Sequence, residues 1–408
     1  MTAKPGCRIC GGTLHEFFDF GRQPIADAFV DPAGDEEEFF HRLAVAMCTS
    51  CTMVQLLDDV PRERMFRTDY PYLSSLSTTM RDHFERTARH FLDTELRDPG
   101  DFLVEFGSND GIMLDTVRRA GRRHLGVEPS TGVAEAAATK GIRVRNAFFE
   151  EESAAAVAAE EGPAKVIYAA NTFSHISYVD SVFRGVDALL APDGVFVFED
   201  PYMADIVERT SFDQIYDEHF YFFSVRSVQA MAAHYGFELV DAVWLPVHGG
   251  EIRYTVARRG ARTPSPAVGR FLEREKAAGL TELETLARFG TRIVAVRDNL
   301  RALLARCREE GSTVVGYGAT AKSATLTNYC GIGSDLVSFI VDSTPAKQGR
   351  LSPGSHIPVR APEAFGSPYP DYALLFAWNH AEEIMRKESA FGRQGGKWIL
   401  YVPGVHIR

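Results

Sequence analysis

Phe102-Leu-Val-Glu-Phe-Gly-Ser-Asn-Asp-Gly111 is an apolar run broken by two glycines, after which Ile112, Met113, Leu114 and Val117 recur near helical spacing. That order predicts a buried strand, a tight loop and a helix N-terminus. In an open α/β sheet the ligand lies outside the carboxyl end of such a strand. The charge of the loop narrows the choice of ligand. A dinucleotide loop wants G-x-G-x-x-G/A, so that bare backbone can approach a pyrophosphate. Here the glycines are spaced G-x-x-x-G, with Glu105 and Asp110 beside them. Two carboxylates repel phosphate and welcome a cation or a ribose hydroxyl. S-adenosylmethionine (SAM) carries a sulfonium and an ammonium and no phosphate. The next predicted strand, His124-Leu-Gly-Val-Glu128, ends in an acid 21 residues after Gly107, where a carboxylate can grip ribose hydroxyls. Glu105, Gly107, Asp110, Gly111 and Glu128 are therefore expected to hold SAM, although E-x-G-x-x-x-G also occurs as plain strand-loop-helix packing.

Strand and helix patterns go on alternating downstream. Ala164 to Ala170 and Gly194 to Asp200 read as a third and a fourth buried strand, which implies a doubly wound sheet. Asn171 and His175, after the third strand, then share the carboxyl-end rim with Gly107, and Asn171 joins the expected cofactor residues. Tyr216-Asp-Glu-His-Phe-Tyr-Phe-Phe-Ser224 puts three ionisable groups and a phenol ahead of an aromatic run. A histidine in such a site can hold its pKa near neutrality, as a general base needs. Taken alone, His219 reads sooner as a core histidine bonded to Glu218 or Asp217 than as a base. Phe237–Val240 and His248–Val256 read as a closing hairpin.

With 408 residues, 24% of them charged and 45% hydrophobic, the chain has room for two or three ordinary globular domains. A net charge of -11 argues against a general nucleic-acid partner. No apolar h-region or membrane-spanning run is present, so a cytoplasmic protein with reduced thiols and no membrane partner is expected. In that setting Cys7-x-x-Cys10 and Cys48-x-x-Cys51, with 37 residues between the pairs, predict a tetrahedral zinc site. Four thiolates leave no place for water, which makes the site structural. Cys307 and Cys330 read as buried core thiols. Tyr70, Tyr72 and Ser75 form a polar-aromatic loop before an amphipathic helix. Their hydroxyls suit a sugar and suit a capped helix start equally. Nothing in the sequence fixes the oligomeric state, and a monomer is compatible with it.

Past the linker Arg258–Pro266, a helical stretch from about Ala267 to Glu310 precedes a second strand-loop-helix, Ser312-Thr-Val-Val-Gly-Tyr-Gly-Ala-Thr-Ala-Lys322. This loop has G-x-G-x-x-A spacing, from Gly316 through Gly318 to Ala321. Bare amides, the helix N-terminus and Lys322 can admit a pyrophosphate. Val337 to Asp342 supplies a following strand that ends in an acid, and Lys347 comes soon after. The same pair suits a nicotinamide dinucleotide or the diphosphate of a sugar nucleotide, and the residues do not choose between them.

Taken together, the two cysteine pairs, Asp69-Tyr-Pro-Tyr72, Glu105-Phe-Gly-Ser-Asn-Asp-Gly111, Tyr216-Asp-Glu-His-Phe220, His248-Gly-Gly250 and Gly316-Tyr-Gly-Ala-Thr-Ala-Lys322 resemble a known family. These motifs are similar, in order and over nearly the whole chain, to the sugar-nucleotide C-methyltransferases that act on 4-keto-deoxyhexoses in antibiotic biosynthesis. The resemblance implies an α/β protein with a zinc lobe over 1–70 and a Rossmann-like SAM domain over 71–260. A C-terminal Rossmann-like α/β domain over 261–408 would help hold the thymidine diphosphate. The resemblance maps the catalytic elements onto Tyr216, Glu218 and His219, with His175 nearby. The acidity of a proton beside a C4 ketone then leads us to expect methyl transfer to C3 of a dTDP-4-keto-deoxyhexose through an enolate, with His219 as base and Glu218 orienting it or supporting its charged form. Tyr216 or His175 would donate to the oxyanion. Tyr70, Tyr72, Ser75, Gly318, Thr320, Lys322 and Lys347 would meet the substrate. A methyltransferase that is also an NADPH-dependent 4-ketoreductase, an O- or N-methyltransferase, and a non-catalytic zinc-containing SAM binder are the alternatives.

Overall fold

The computed structural model describes residues 6–34, 37–65, 78–366 and 368–408. Tyr70, Tyr72 and Ser75 lie outside the described residues. Three sheets organise the chain. The first begins with β1 (Leu14–Pro24), β2 (Phe40–Cys48) and β3 (Val54–Leu56), which pair antiparallel in sequence order.

The second sheet is built from β4 (Phe102–Phe106), β5 (Arg123–Val127), β6 (Val144–Arg145), β7 (Ala164–Ala170) and β8 (Leu190–Pro201). Every residue of β4 is buried and β7 is nearly so, as parallel strands covered on both faces require. After the short β9 (Tyr221–Phe222), β10 (Phe237–Leu245) and β11 (Glu251–Arg258) form the expected hairpin and complete the sheet in the order β10-β11-β8-β7-β4-β5-β6. Only β11 runs against its neighbours. The chain winds from β4 outward through β5 and β6, then returns to the other flank of β4 with β7. The crevice at that switch opens beside Gly107 and Asn171, the residues that follow β4 and β7. Over this crevice lies the helix Thr78–Thr94, whose Met80, Phe84 and Phe91 pack with Leu103, Leu114 and Tyr168.

β9 does not join the sheet of its neighbours in sequence. It pairs antiparallel with β3, so the residues just after His219 form the fourth strand of the N-terminal sheet.

The helical stretch toward Glu310 is two helices, Pro266–Ala277 and Leu283–Glu309. Gly279 makes the break: it takes φ +63°, its amide donates to the Lys276 carbonyl, and the Leu280 amide donates to that of Glu275. That double bond is the glycine-terminated helix end known as the Schellman motif. The third sheet follows, with β12 (Val314–Tyr317), β13 (Ile340–Val341), β14 (Val359–Arg360), β15 (Tyr372–Leu375), β16 (Lys397–Leu400) and β17 (His406–Ile407). Its order, β14-β13-β12-β15-β16-β17, places a second switch beside β12, just before Gly318. Only Ile340 and Val341 of the expected Val337–Asp342 strand pair with β12. Among the described residues no helix is long and apolar enough to cross a membrane.

Candidate active site and zinc lobe

The four cysteines of the two pairs bring their sulfurs within 4.8 Å of one another. Cys7 lies 3.6 Å from Cys51 and Cys10 lies 3.5 Å from Cys48, far outside disulfide bonding, and all six cysteines are free thiols. The Ile9 amide points at Cys7 Sγ and the Ser50 amide at Cys48 Sγ, each at 3.4 Å. Sulfurs gathered this closely and supplied with amide donors fit a tetrahedral zinc ion.

One cavity of about 410 Å³ lies where the three sheets meet. Its floor is the β4/β7 switch, with Gly107, Asn109, Glu128, Ser130 and Asn171 on the wall. Gly107 has φ +63°, and a Cβ there would meet the Thr172 hydroxyl at 2.3 Å, so only bare backbone fits. Glu128 accepts the amides of Asn109 and Ser130, both at 2.9 Å. Each of its oxygens keeps a second lone pair, which can accept a ribose hydroxyl. Glu105, Asp110 and Gly111 stand outside the wall. Burial, then Glu128, Glu199 and Asp110, push the Glu105 carboxyl well above the usual carboxylate range, which favours its neutral form. Asp110 pairs with Lys140 at 2.8 Å, and Gly111 opens the helix Ile112–Arg119 against Ile142. Of the three acids Glu105, Asp110 and Glu128, the last is the one on the cavity wall, and burial raises its pKa against the pull of the Ser130 and Asn109 amides.

On the facing wall are His175, Tyr216, Glu218 and His219. His219 Nδ1 lies 2.8 Å from the Gln214 carbonyl. A carbonyl can only accept, so Nδ1 carries the proton and Nε2 presents its lone pair to the cavity side. The Tyr216 hydroxyl donates to Nε2 at 3.0 Å. The orienting partner of His219 is therefore a backbone carbonyl, where the sequence pointed to Glu218 or Asp217. Glu218 instead faces His175, 3.6 Å from its Nδ1, and Asp217 accepts the Ala26 amide at 2.9 Å. Nor does the His219 pKa sit near neutrality. Burial, then His175 and Lys322, drive it well below 6.5, and burial drives His175 down to about 4.

The third wall comes from the second strand-loop-helix. Thr320, Ala321, Lys322 and Lys347 line it together with Asn379 and His380. Thr320 Oγ1 is buried with no protein partner. Lys322 Nζ lies 2.9 Å from Asn379 Oδ1 and 4.9 Å from the centre of the Trp378 ring. Burial lowers its pKa, opposed by Asp213 and Glu251. Lys347 bonds the Ala319 carbonyl at 2.9 Å and Asp27 at 3.1 Å. Gly318 stays behind the wall in a φ +85° turn, its amide on Val341.

Arg62, Phe148, Tyr178, Asp27, Asn379 and His380 also reach the cavity, and the sequence did not single them out. A signal existed for some of them. Phe148 follows β6 and Asn379 follows β15, so both stand beyond the carboxyl ends of parallel strands, where Gly107 and Asn171 were found by the same rule.

Family models match the chain in three consecutive parts. Residues 7–66 match a "Putative zinc binding domain", 77–242 a "Methyltransferase domain" and 246–403 a "C-methyltransferase C-terminal domain". The chain is 35% identical to the C-methyltransferase NovU of Streptomyces niveus over 406 residues, covering 98% of this chain and 96% of NovU. Among solved structures, a SAM-dependent methyltransferase from Anabaena variabilis is 18% identical, with a TM-score of 0.33, over 45% of this chain and 96% of its own. Magnesium protoporphyrin IX methyltransferase from Synechocystis, with bound SAM, is 10% identical, with a TM-score of 0.33, over 44% of this chain and 79% of its own. The zinc-ready cysteines, the bare-backbone crevice and full-length similarity to NovU agree: the chain belongs to the SAM-dependent C-methyltransferases.

Proposed function

We propose that the enzyme methylates C3 of a dTDP-4-keto-deoxyhexose through an enolate. The observation that carries this reading is the neutral His219–Tyr216 pair, which shares one cavity with the Gly107–Glu128 rim and the Thr320–Lys322 wall. A C3 proton is acidic only because the C4 ketone can take up its electron pair, so a base and an oxyanion donor must stand together.

The pair supplies both from one hydrogen bond. As Tyr216 O–H turns from Nε2 to the C4 oxygen, the His219 lone pair is released to take the C3 proton. The C3–H electrons become the C3=C4 bond, and the carbonyl pair moves to oxygen. The base begins weak, because its pKa is depressed. Negative charge on the diphosphate and the enolate favours its protonated form and offsets that weakness. Gly107, Glu128 and Asn171 would hold SAM, which would supply an electrophilic methyl to the C3 carbanion with its thioether as the leaving group. Glu218 faces Nδ1 of His175, whose ring stands 4.9 Å from that of His219; neutral and with its proton toward that carboxylate, His175 packs beside the base and leaves oxyanion donation to Tyr216. Thr320, Lys322 and Lys347 hold the diphosphate through an open hydroxyl and two ammonium groups.

The test uses dTDP-4-keto-2,6-dideoxyhexoses in deuterated water, with and without SAM, read by NMR and mass. Deuterium should enter C3 without SAM and a carbon-bound methyl should form with it. His219→Asn should slow both by about 10²–10⁴-fold. A methyl on oxygen or nitrogen without exchange would sink the enolate route, and NADPH oxidation with these sugars would favour the ketoreductase alternative.

A further inference from the structure

The zinc lobe does more than fold. Eleven residues beyond Cys51, the short helix Arg62–Met65 brings Arg62 out of that lobe and onto the cavity wall. Its guanidinium lies 4.3 Å from the centre of the Phe148 ring and 5.1 Å from that of Tyr178, both on the central domain. Nη1 bonds Glu150 Oε1, so the positive charge already has its counterion. An arginine tethered in this way is poorly placed to capture a free phosphate. Lying over both rings, the guanidinium extends an aromatic wall of the cavity, and such a wall suits a flat π-system.

The sheet order says which part of SAM comes here. Glu128 follows β5 and is the ribose acceptor on the wall. β6 lies beyond β5, away from the β4/β7 switch, and Phe148 follows β6. The sulfonium must lie at the switch beside Asn171, where it faces His219 on the opposite wall. The base, on the far side of the ribose, therefore falls against Phe148. We propose that Arg62 is a cofactor-binding residue contributed by the zinc lobe, which stacks on the adenine of SAM beside Phe148 and links zinc-lobe integrity to cofactor affinity. This rests on the SAM site described above.

The test is calorimetric titration of the full-length, zinc-loaded protein with SAM and with 5′-methylthioadenosine, which keeps base and ribose but lacks the amino acid. Arg62→Ala should weaken both ligands by about tenfold. Arg62→Lys, which keeps the charge without the plane, should fall between. Arg62 is partly exposed, and matching thermal melts would show that both variants fold. In the Arg62→Ala background, replacing a zinc ligand should cost SAM little further affinity, while the same change in the wild-type chain costs about the tenfold that Arg62→Ala does. Affinities within twofold of wild type in Arg62→Ala would overturn the proposal, as would a loss for SAM but not for 5′-methylthioadenosine, which would place Arg62 at the amino-acid end. If the wild-type chain bound neither ligand, the SAM site itself would fall.

Discussion

The Gly107 loop and the Gly318 loop are built alike and charged oppositely. Each follows a strand beside a switch point and turns through a glycine with positive φ. Each is also pinned by an acid from the next strand. Glu128 accepts the amides of Asn109 and Ser130, and Asp342 accepts those of Ala319 and Thr344, both at 2.7 Å. The acid after the second strand is therefore first a brace for its own loop, and by itself does not announce a ribose. What differs is the company. The first loop presents the Glu128 carboxylate to the cavity, while behind it burial favours the neutral form of Glu105, Asp110 pairs with Lys140 and Glu199 pairs with Arg253. The second presents Lys322, Lys347 and an open Thr320 hydroxyl. One backbone design thus sets a carboxylate beside one loop and two lysines beside the other, and both line the same cavity.

The strongest way to break this comparison is to disarm each loop and ask which ligand suffers. Lys322→Ala removes a charged donor to the diphosphate and should raise the KM for the nucleotide sugar by roughly 10–100-fold. The SAM dissociation constant should stay within about twofold. Glu128→Ala should do the reverse, weakening SAM by roughly 10–100-fold at unchanged affinity for the sugar nucleotide. Steady-state kinetics and calorimetry on the same two variants separate these outcomes. Equal damage to both ligands in either variant would mean that the two pockets are not chemically distinct.

Asp342→Asn tests the shared brace with a smaller effect. The amide side chain can accept one of the two backbone N–H groups but not both, so the loop loosens without losing Lys322. A rise of about three- to tenfold in the sugar-nucleotide KM, with kcat nearly constant, is expected. Were Asp342 instead a ribose ligand for a nicotinamide cofactor, the variant would spare methylation and impair only NADPH binding.

The first of these loops was readable in the chain because an apolar strand, two glycines and a helical period leave a local signature. The cysteine pairs were readable for the same reason, and the second loop was recognised with its ligand left open. The partners of the base were not. His219 is held by the carbonyl of Gln214, which carries no side-chain signature and is presented by the short turn Phe212–Gln214. That turn is anchored by Asp213, whose Oδ2 accepts Trp378 Nε1 and the Tyr401 hydroxyl at 2.7 Å each, across 165 and 188 residues. The pairing of β9 with β3 likewise joins residues that no local pattern connects. The expectation that Glu218 orients His219 followed from adjacency in sequence, but successive side chains point different ways, and Glu218 turns to His175.

The smallest effect is the most diagnostic, because it couples the two loops through the base. A histidine with the ordinary pKa near 6.5 would be about three-quarters protonated at pH 6, and a rate requiring the neutral ring would drop about fourfold. His219 lies well below 6.5, so its neutral form persists as the pH falls. Between pH 8 and pH 6, kcat/KM for C3 exchange should therefore change by less than about twofold, with the acid limb appearing only further down. Lys322, on the second loop, contributes to that depression, since its charge disfavours an imidazolium nearby. In Lys322→Ala the acid limb should move toward higher pH by a small step, because burial and His175 weigh more than Lys322. A limb that stays in place would confine Lys322 to holding the substrate, whereas a wild-type limb near pH 6.5 would mean that the titrating base is not the buried His219.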